Sequence, residues 1–303
     1  MARTLLIGGP NVSWKGWERE NLREDDLLVL DPGDATYGPA TIFRLMRGER
    51  PLWTRLYGSL DPRRAPHVTV ATLAEGIDRA DENLTVRLFP YRNTPMMRQT
   101  VTLVASVFRP DRIFVAEGTD LNLNGFPTGP ETPALEPAFP PMVQDAMRKA
   151  QWMKLLESCS MHEIDLQTAV LEGTRLGGGR RLSPDEIAKT GLSAVHAEIV
   201  GKNLFVVSDD VPEGRLARAL DVTHCTKAVI AAPGAYEGLV LAFVRPNGEE
   251  IGHGRVVRID WAAGILHAAC SAIPPVPVGI VRIGSLRLDA KGGERGEARP
   301  WEV

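Results

Sequence analysis

The chain is poor in cysteine and in aromatic residues, carries little net charge and has no long apolar run. Its three cysteines, Cys159, Cys225 and Cys270, are odd in number, far apart and outside any C-x-x-C spacing. That pattern excludes a disulfide framework and reads as free thiols in a reducing compartment. His224-Cys225 and His162-Glu163 look like fragments of metal sites, yet neither has partners at ligand spacing, so no metal is expected. No stretch approaches membrane-spanning length, and the N-terminus passes straight into a strand-like run without a signal peptide. The expected location is cytoplasmic, with no membrane partner. A formal net charge of −3 excludes a global field for nucleic acid, so any such contact must come from a local basic patch. With aromatics at 6%, a base-stacking surface would have to come from a few residues such as Trp14, Trp17 and Trp53.

What is present suffices for two domains. A chain of 303 residues buries a large core. Residues 4–7, 27–30, 84–89 and 112–116 are short apolar runs of strand character. Residues 40–46 and 52–57 flank Arg47-Gly48-Glu49-Arg50 as a hairpin. Val70, Leu73, Ala74 and Ile77 mark a helix over 66–80, and Met97, Val101, Val104 and Phe108 mark the next. This alternation predicts an α/β layer with at least a partly parallel sheet. Residues 121–141 carry Pro127, Pro130, Pro133, Pro137, Pro140 and Pro141, and read as a long loop before a helix at 142–158. From Ile164 the character turns to strands and turns, with hairpins around Gly201-Lys202-Asn203 and Pro246-Asn247-Gly248. Ser183-Pro184-Asp185-Glu186 reads as a helix start. The charged, Gly-rich tail from Lys291 reads as frayed. The expected division is 1–160 and a mainly β 161–303.

Residues 8–16, Gly-Gly-Pro-Asn-Val-Ser-Trp-Lys-Gly, carry part of a phosphate loop. The intact G-x-x-x-x-G-K-[ST] cradles phosphate with backbone N–H groups, reaches it with a lysine and holds Mg²⁺ with a hydroxyl. Gly9 and Lys15 keep the spacing, Trp14 replaces the second glycine, and Gly16 replaces the hydroxyl. The segment is either a decayed nucleotide site or a chance match.

Three further segments, in order, resemble the polynucleotide 5′-hydroxyl kinase family, which includes the RNA 5′-kinase subunit of pre-mRNA cleavage factor and archaeal relatives. Leu30-Asp31-Pro32-Gly33-Asp34-Ala35-Thr36-Tyr37-Gly38-Pro39-Ala40-Thr41-Ile42 is similar to the family's D-x-D-x-G-Q stretch and the Gly-Pro segment after it. Tyr57-Gly58-Ser59-Leu60-Asp61-Pro62-Arg63 is similar to F-V-G-x-x-S-P-R. Gly252-His253-Gly254-Arg255-Val256-Val257-Arg258-Ile259-Asp260, Ile273-Pro274-Pro275 and Ile280-Val281-Arg282-Ile283-Gly284-Ser285-Leu286-Arg287-Leu288-Asp289 resemble the family's C-terminal strands. The resemblance implies a P-loop-NTPase-like N-terminal domain with a mostly parallel sheet, then a smaller β-rich C-terminal domain.

The departures bear on function. The family's loop lysine opens a long buried helix, whereas residues 17–26 hold seven charged residues in ten and leave only Trp17 and Leu22 for a core. This segment is expected to be short and solvated. The family's D-x-D-x-G-Q is reduced to Asp31, with Asp34 at the glutamine position. The strand that should end in D-T-x-G reads Leu84-Thr85-Val86-Arg87-Leu88-Phe89-Pro90-Tyr91 and has no carboxylate. Arg148 is the one candidate lid arginine. Arg63-Arg64 and Arg180-Arg181 are the best basic pairs for a nucleic-acid backbone.

Three readings follow. The first is a non-catalytic relative acting as a binding or assembly protein for RNA or a protein partner, with no cofactor expected. The second is an active ATP-dependent kinase with Lys15 on phosphate and Asp31 or Asp34 on Mg²⁺. The third is a different chemistry in a cleft between the domains, built from residues such as Glu117, Asp120 and His162.

Overall fold

A computed structural model describes residues 2–22, 24–81, 83–123, 125–126, 133–274 and 279–299. Arg23, Pro127, Pro130, Pro275 and the tail end 300–303 lie outside the described residues. The chain divides into two compact units, 1–152 and 153–303.

The first unit runs β1 (Arg3–Ile7), β2 (Val12–Ser13), α1 (Lys15–Asn21), β3 (Asp26–Leu30), β4 (Ile42–Arg47), β5 (Arg50–Leu56), α2 (Pro66–Arg79), β6 (Leu84–Leu88), α3 (Pro95–Phe108), β7 (Arg112–Val115) and β8 (Glu136–Pro137). Then α4 (Pro141–Glu157) carries the chain across the division. Its sheet has the order β5-β4-β3-β6-β1-β7. The last four strands are parallel, and β4 and β5 form an antiparallel hairpin at the edge. As expected of parallel strands covered on both faces, β1, β3 and β6 are buried along nearly all their length. Leu5, Ile7, Leu28, Leu30 and Val86 pack against Leu73 of α2 and Val101, Val104 and Phe108 of α3. The other face is thinner: Leu6 meets Trp14, while Leu27 and Val29 meet Leu22 and Trp17. Strand order reverses about β1, and in open α/β sheets such a switch point opens a crevice beyond the strands' carboxyl ends.

The second unit contains β9 (Ser160–Asp165), β10 (Val170–Glu172), β11 (Arg180–Arg181), α5 (Pro184–Thr190), β12 (His196–Val200), β13 (Asn203–Val207), α6 (Glu213–Thr223), β14 (Lys227–Ala231), β15 (Leu239–Val244), β16 (Glu250–Asp260), β17 (Ile265–Cys270), β18 (Ile280–Leu288) and β19 (Glu294–Glu297). One sheet follows β10-β18-β15-β16-β17-β9, with β19 on β18, and a second follows β11-β12-β13-β14. The Ser183 capping box starts α5 as read from sequence.

The tail corrects the expectation of fraying. Residues 294–297 form β19, because Ala298 is fully buried and its N–H donates to Ser285 O at 2.8 Å. A buried anchor and a ladder outweigh local charge and glycine.

Gly254, in the segment that carries the family likeness, lies where β16 and β17 approach each other. A Cβ there would sit 1.8 Å from the Ala269 carbonyl oxygen. Gly254→Ala must displace backbone rather than a flexible side chain, so a loss of about 3 kcal/mol is expected in urea unfolding.

Candidate functional site

The switch-point crevice holds a cavity of about 130 Å³, lined among others by Gly9, Trp14, Asp31, Asp34, Arg87 and Met147. That volume suits a few waters or one small ion. Organic ligands usually occupy roughly 300–1,000 Å³.

Residues 8–16 fix one wall. After β1, the Tyr91 N–H donates to Gly8 O at 2.7 Å, and the Ala138 N–H donates to Asn11 O at 2.9 Å. Val12 and Ser13 then pair antiparallel with Pro137 and Glu136. A two-residue ladder thus stands between the glycines and α1, which starts at Lys15 and lasts seven residues. Trp14 is buried, and its Nε1 lies 2.8 Å from where a Cβ on Gly8 would be. It packs edge-on against Trp17, which packs on Phe114, and Trp53 is buried beneath Arg79. These tryptophans serve the core rather than a base-stacking surface. Gly16 sits under the Glu136 carboxylate, whose Oε1 would be 2.9 Å from a Cβ at that position. Glu136 therefore puts negative charge over the first turn of α1, where a phosphate would need positive potential. The Lys15 N–H donates to Ser13 Oγ at 3.3 Å, and its ammonium has no acidic partner among the described residues.

The opposite wall is ionic. Alternation along β6 turns Leu84, Val86 and Leu88 toward α2 and α3, which leaves Arg87 on the α1 face between Leu6 and Val29. A guanidinium buried there requires partners. Its Nη1 lies 3.0 Å from Glu18 of α1, its Nη2 lies 2.9 Å from Asp34 Oδ1, and the Tyr37 hydroxyl donates to Glu18 at 2.9 Å. Burial alone would weaken the Arg87 charge, but Glu18 and Asp34 hold it firmly protonated. Burial also pushes the Glu18 carboxyl up, against the pull of Arg87 and Tyr37.

This corrects the solvated reading of residues 17–26. Glu18 is 2% exposed, and Asp26 is fully buried on Arg47, 2.8 Å away.

Asp31 directly follows β3, where its Oδ1 accepts the Gly33 N–H at 2.9 Å and closes the Pro-Gly turn. Burial first, and then Asp34, raise its pKa to about 7, while Arg87 and Arg148 oppose the shift. Asp31 and Asp34 are thus brought together with Arg87. Sequence reasoning missed Arg87, Glu18 and Tyr37. The available signal was an arginine inside an otherwise apolar strand.

The remaining candidates are not among the residues lining this cavity. Arg63 is exposed and held in bidentate contact by Asp61, at 2.8 Å through each nitrogen, and the Arg64 N–H donates to Asp61 O. Arg180 pairs with Glu186 at 2.9 Å in the second unit, next to Arg181. Glu117 and Asp120 belong to the first unit, where Asp120 accepts from Asn93 at 2.6 Å. His162 lies in β9 of the second unit, edge-on to Phe243. Among the described residues no group of three or more His, Cys, Asp or Glu could hold a metal ion, and no helix is long and apolar enough to cross a membrane.

No family model and no curated protein matches the sequence. Solved structures do match. A structure of Pcf11p and Clp1p, described for their extended interface and for ATP loss in a glycine-to-arginine mutant, aligns with a TM-score of 0.54. Identity is 9%, over 94% of this chain and 75% of that one. The wild-type Clp1p–Pcf11p complex gives 0.53, again with 9% identity, over 94% and 74%. The chain shares their fold. Its architecture is an α/β unit with a mostly parallel sheet followed by a β-rich unit.

Two outcomes are expected from the ionic wall. Arg87→Met leaves Glu18 and Asp34 buried without a cation and lowers stability in urea by about 3–5 kcal/mol. Glu18→Gln costs less in that background than alone, as a double-mutant cycle will read. Asp31, with its pKa raised from the unfolded 3.8 to about 7, binds more protons folded than unfolded. Stability therefore falls as pH rises through that window. Asp31→Asn keeps the turn acceptor and removes the fall. It should gain at least about 1 kcal/mol over wild type between pH 5 and pH 8 in paired urea melts.

Proposed function

We propose that this chain is a non-catalytic relative of the polynucleotide 5′-hydroxyl kinases, working by binding a protein partner within an assembly. The observation that carries the reading is the Glu18–Arg87–Asp34 ion-pair set. Phosphoryl transfer needs cations that bridge and neutralise the phosphates, and carboxylates free to hold them. Here Asp34 is spent on an internal guanidinium, and Asp31 has its pKa near 7 on a turn. Glu136 covers Gly16, and Trp14 fills the space beside Gly8. Each change weakens nucleotide binding, and together they remove positioning and charge neutralisation at once.

A protein partner is favoured over RNA because two of the four arginines expected to meet a nucleic-acid backbone, Arg63 and Arg180, are already paired with Asp61 and Glu186. Phe139, Met142 and Val143, by contrast, are exposed apolar residues at the start of α4. The neighbours of like fold are complexes of Clp1p with Pcf11p, which supports an assembly role by analogy alone.

Incubation with γ-labelled Mg-ATP and a 5′-hydroxyl RNA oligonucleotide should transfer no label above a protein-free blank. Label transfer, with a thermal stabilisation by Mg-ATP that Lys15→Ala abolishes, would overturn the proposal in favour of a kinase with an altered loop. RNA binding with a steep salt dependence, lost in Arg63→Ala/Arg64→Ala, would replace the protein partner by RNA.

A further inference from the structure

The second unit holds a solvent-open cavity of about 1,060 Å³, bordered by β12, α5 and the turn at Trp261. At its wall stand His196 and Glu198, two residues apart on β12 and so on one face, exposed by only 4% and 3%. His196 Nε2 lies 2.6 Å from Glu198 Oε1. The same carboxylate accepts the Gly177 N–H at 2.9 Å and the Gly179 N–H at 3.2 Å. With those two donors on it Glu198 acts as the acceptor, and the hydrogen of the His196 contact sits on Nε2. The other ring nitrogen, Nδ1, has no partner among the described residues. A carboxylate that fixes one imidazole nitrogen orients the other for a ligand. The half-buried Trp261 indole lies 5.5 Å from the His196 ring, anchored by its own N–H on Pro233 O.

A cation completes the set. Arg181 is paired with Glu198 across the β11–β12 ladder, which puts it on the dyad's face of the sheet. It is exposed at the cavity and has no acidic partner among the described residues. Glu186, the other acid lining the cavity, is taken by the Ser183 N–H and by Arg180. Apolar Leu182, Ile187 and Leu192 line the rest.

We propose that this cavity binds a small aromatic anion. The ring lies beside Trp261, a polar group of the ligand hydrogen-bonds His196 Nδ1, and a carboxylate or phosphate pairs with Arg181. Calorimetric titration of the full chain tests it with 4-hydroxybenzoate and adenosine 5′-monophosphate. Methyl 4-hydroxybenzoate and adenosine serve as their uncharged counterparts. At least one anion should saturate and bind about tenfold tighter than its uncharged form, as expected for one charge-assisted contact. Arg181 is exposed, so Arg181→Ala should fold normally and erase that preference, while Lys15→Ala should leave it intact. The anion that saturates identifies the source as a carboxylic acid or a nucleotide. The proposal is overturned if neither anion saturates at millimolar concentration, if charge or Arg181→Ala makes no difference, or if Lys15→Ala abolishes binding.

Discussion

A guanidinium buried in the middle of a parallel sheet is the constraint around which the first unit is arranged. Arg87 is almost wholly buried on β6, so neighbouring segments must bring it negative charge. Helix α1 supplies Glu18, and the loop after β3 supplies Asp34. This is why α1 needs little apolar surface to dock: an ion pair ties it to the sheet, and Trp17 and Leu22 seal the remaining gap. Asp31 is a third acid beside a single central cation. The balance is met by protonation, since burial and Asp34 raise its pKa to about 7. The loop after β3, the seven-residue helix and the middle of β6 thus form one electrostatic unit.

The same unit decides what the crevice can do. A dication entering it would approach Arg87, and at an effective dielectric of about 20 the repulsion at ~4 Å is several kcal/mol. The carboxylates that could offset this are already engaged, Glu18 and Asp34 by the guanidinium and Asp31 by the Gly33 N–H. Across the crevice, Glu136 disfavours an anion at the start of α1. Both halves of a metal–phosphate complex therefore meet charge of their own sign. These side chains are what the proposed non-catalytic reading rests on.

Much of the fold could be read from residue pattern. Periodicity located β1, β3, the β4–β5 hairpin, α2, β6, α3 and β7 to within a residue or two, because these elements bury continuous apolar faces. The ordered family likeness carried the architecture further than 9% identity with structures of like fold would suggest. The site was less legible. Charge was taken as a sign of exposure, which misjudged Glu18, because its partner Arg87 lies 69 positions away and no local rule connects them. The β2–β8 ladder joins two pairs of residues more than a hundred positions apart, and neither pair has strand character alone. In the tail, the burial of Ala298 fixes a segment whose composition argues for a loop.

Two buried acid sites in this chain, Glu18 with Asp34 in the first unit and Glu198 in the second, are met by different means, and the difference has chemical consequences. In the first, Glu18 and Asp34 are neutralised by a permanent cation that is consumed in doing so, and about 130 Å³ remains beside them. In the second, Glu198 is held by two backbone N–H groups and one imidazole nitrogen, and among the described residues no arginine is spent on it. That leaves Nδ1 of His196 and the guanidinium of Arg181 at the edge of a cavity of about 1,060 Å³. Neutralising an acid with backbone dipoles keeps the side-chain cation available for a ligand, whereas neutralising it with an arginine does not. By that criterion the ligand site proposed in the β-rich unit keeps a side-chain cation that the ionic wall of the α/β sheet has already committed.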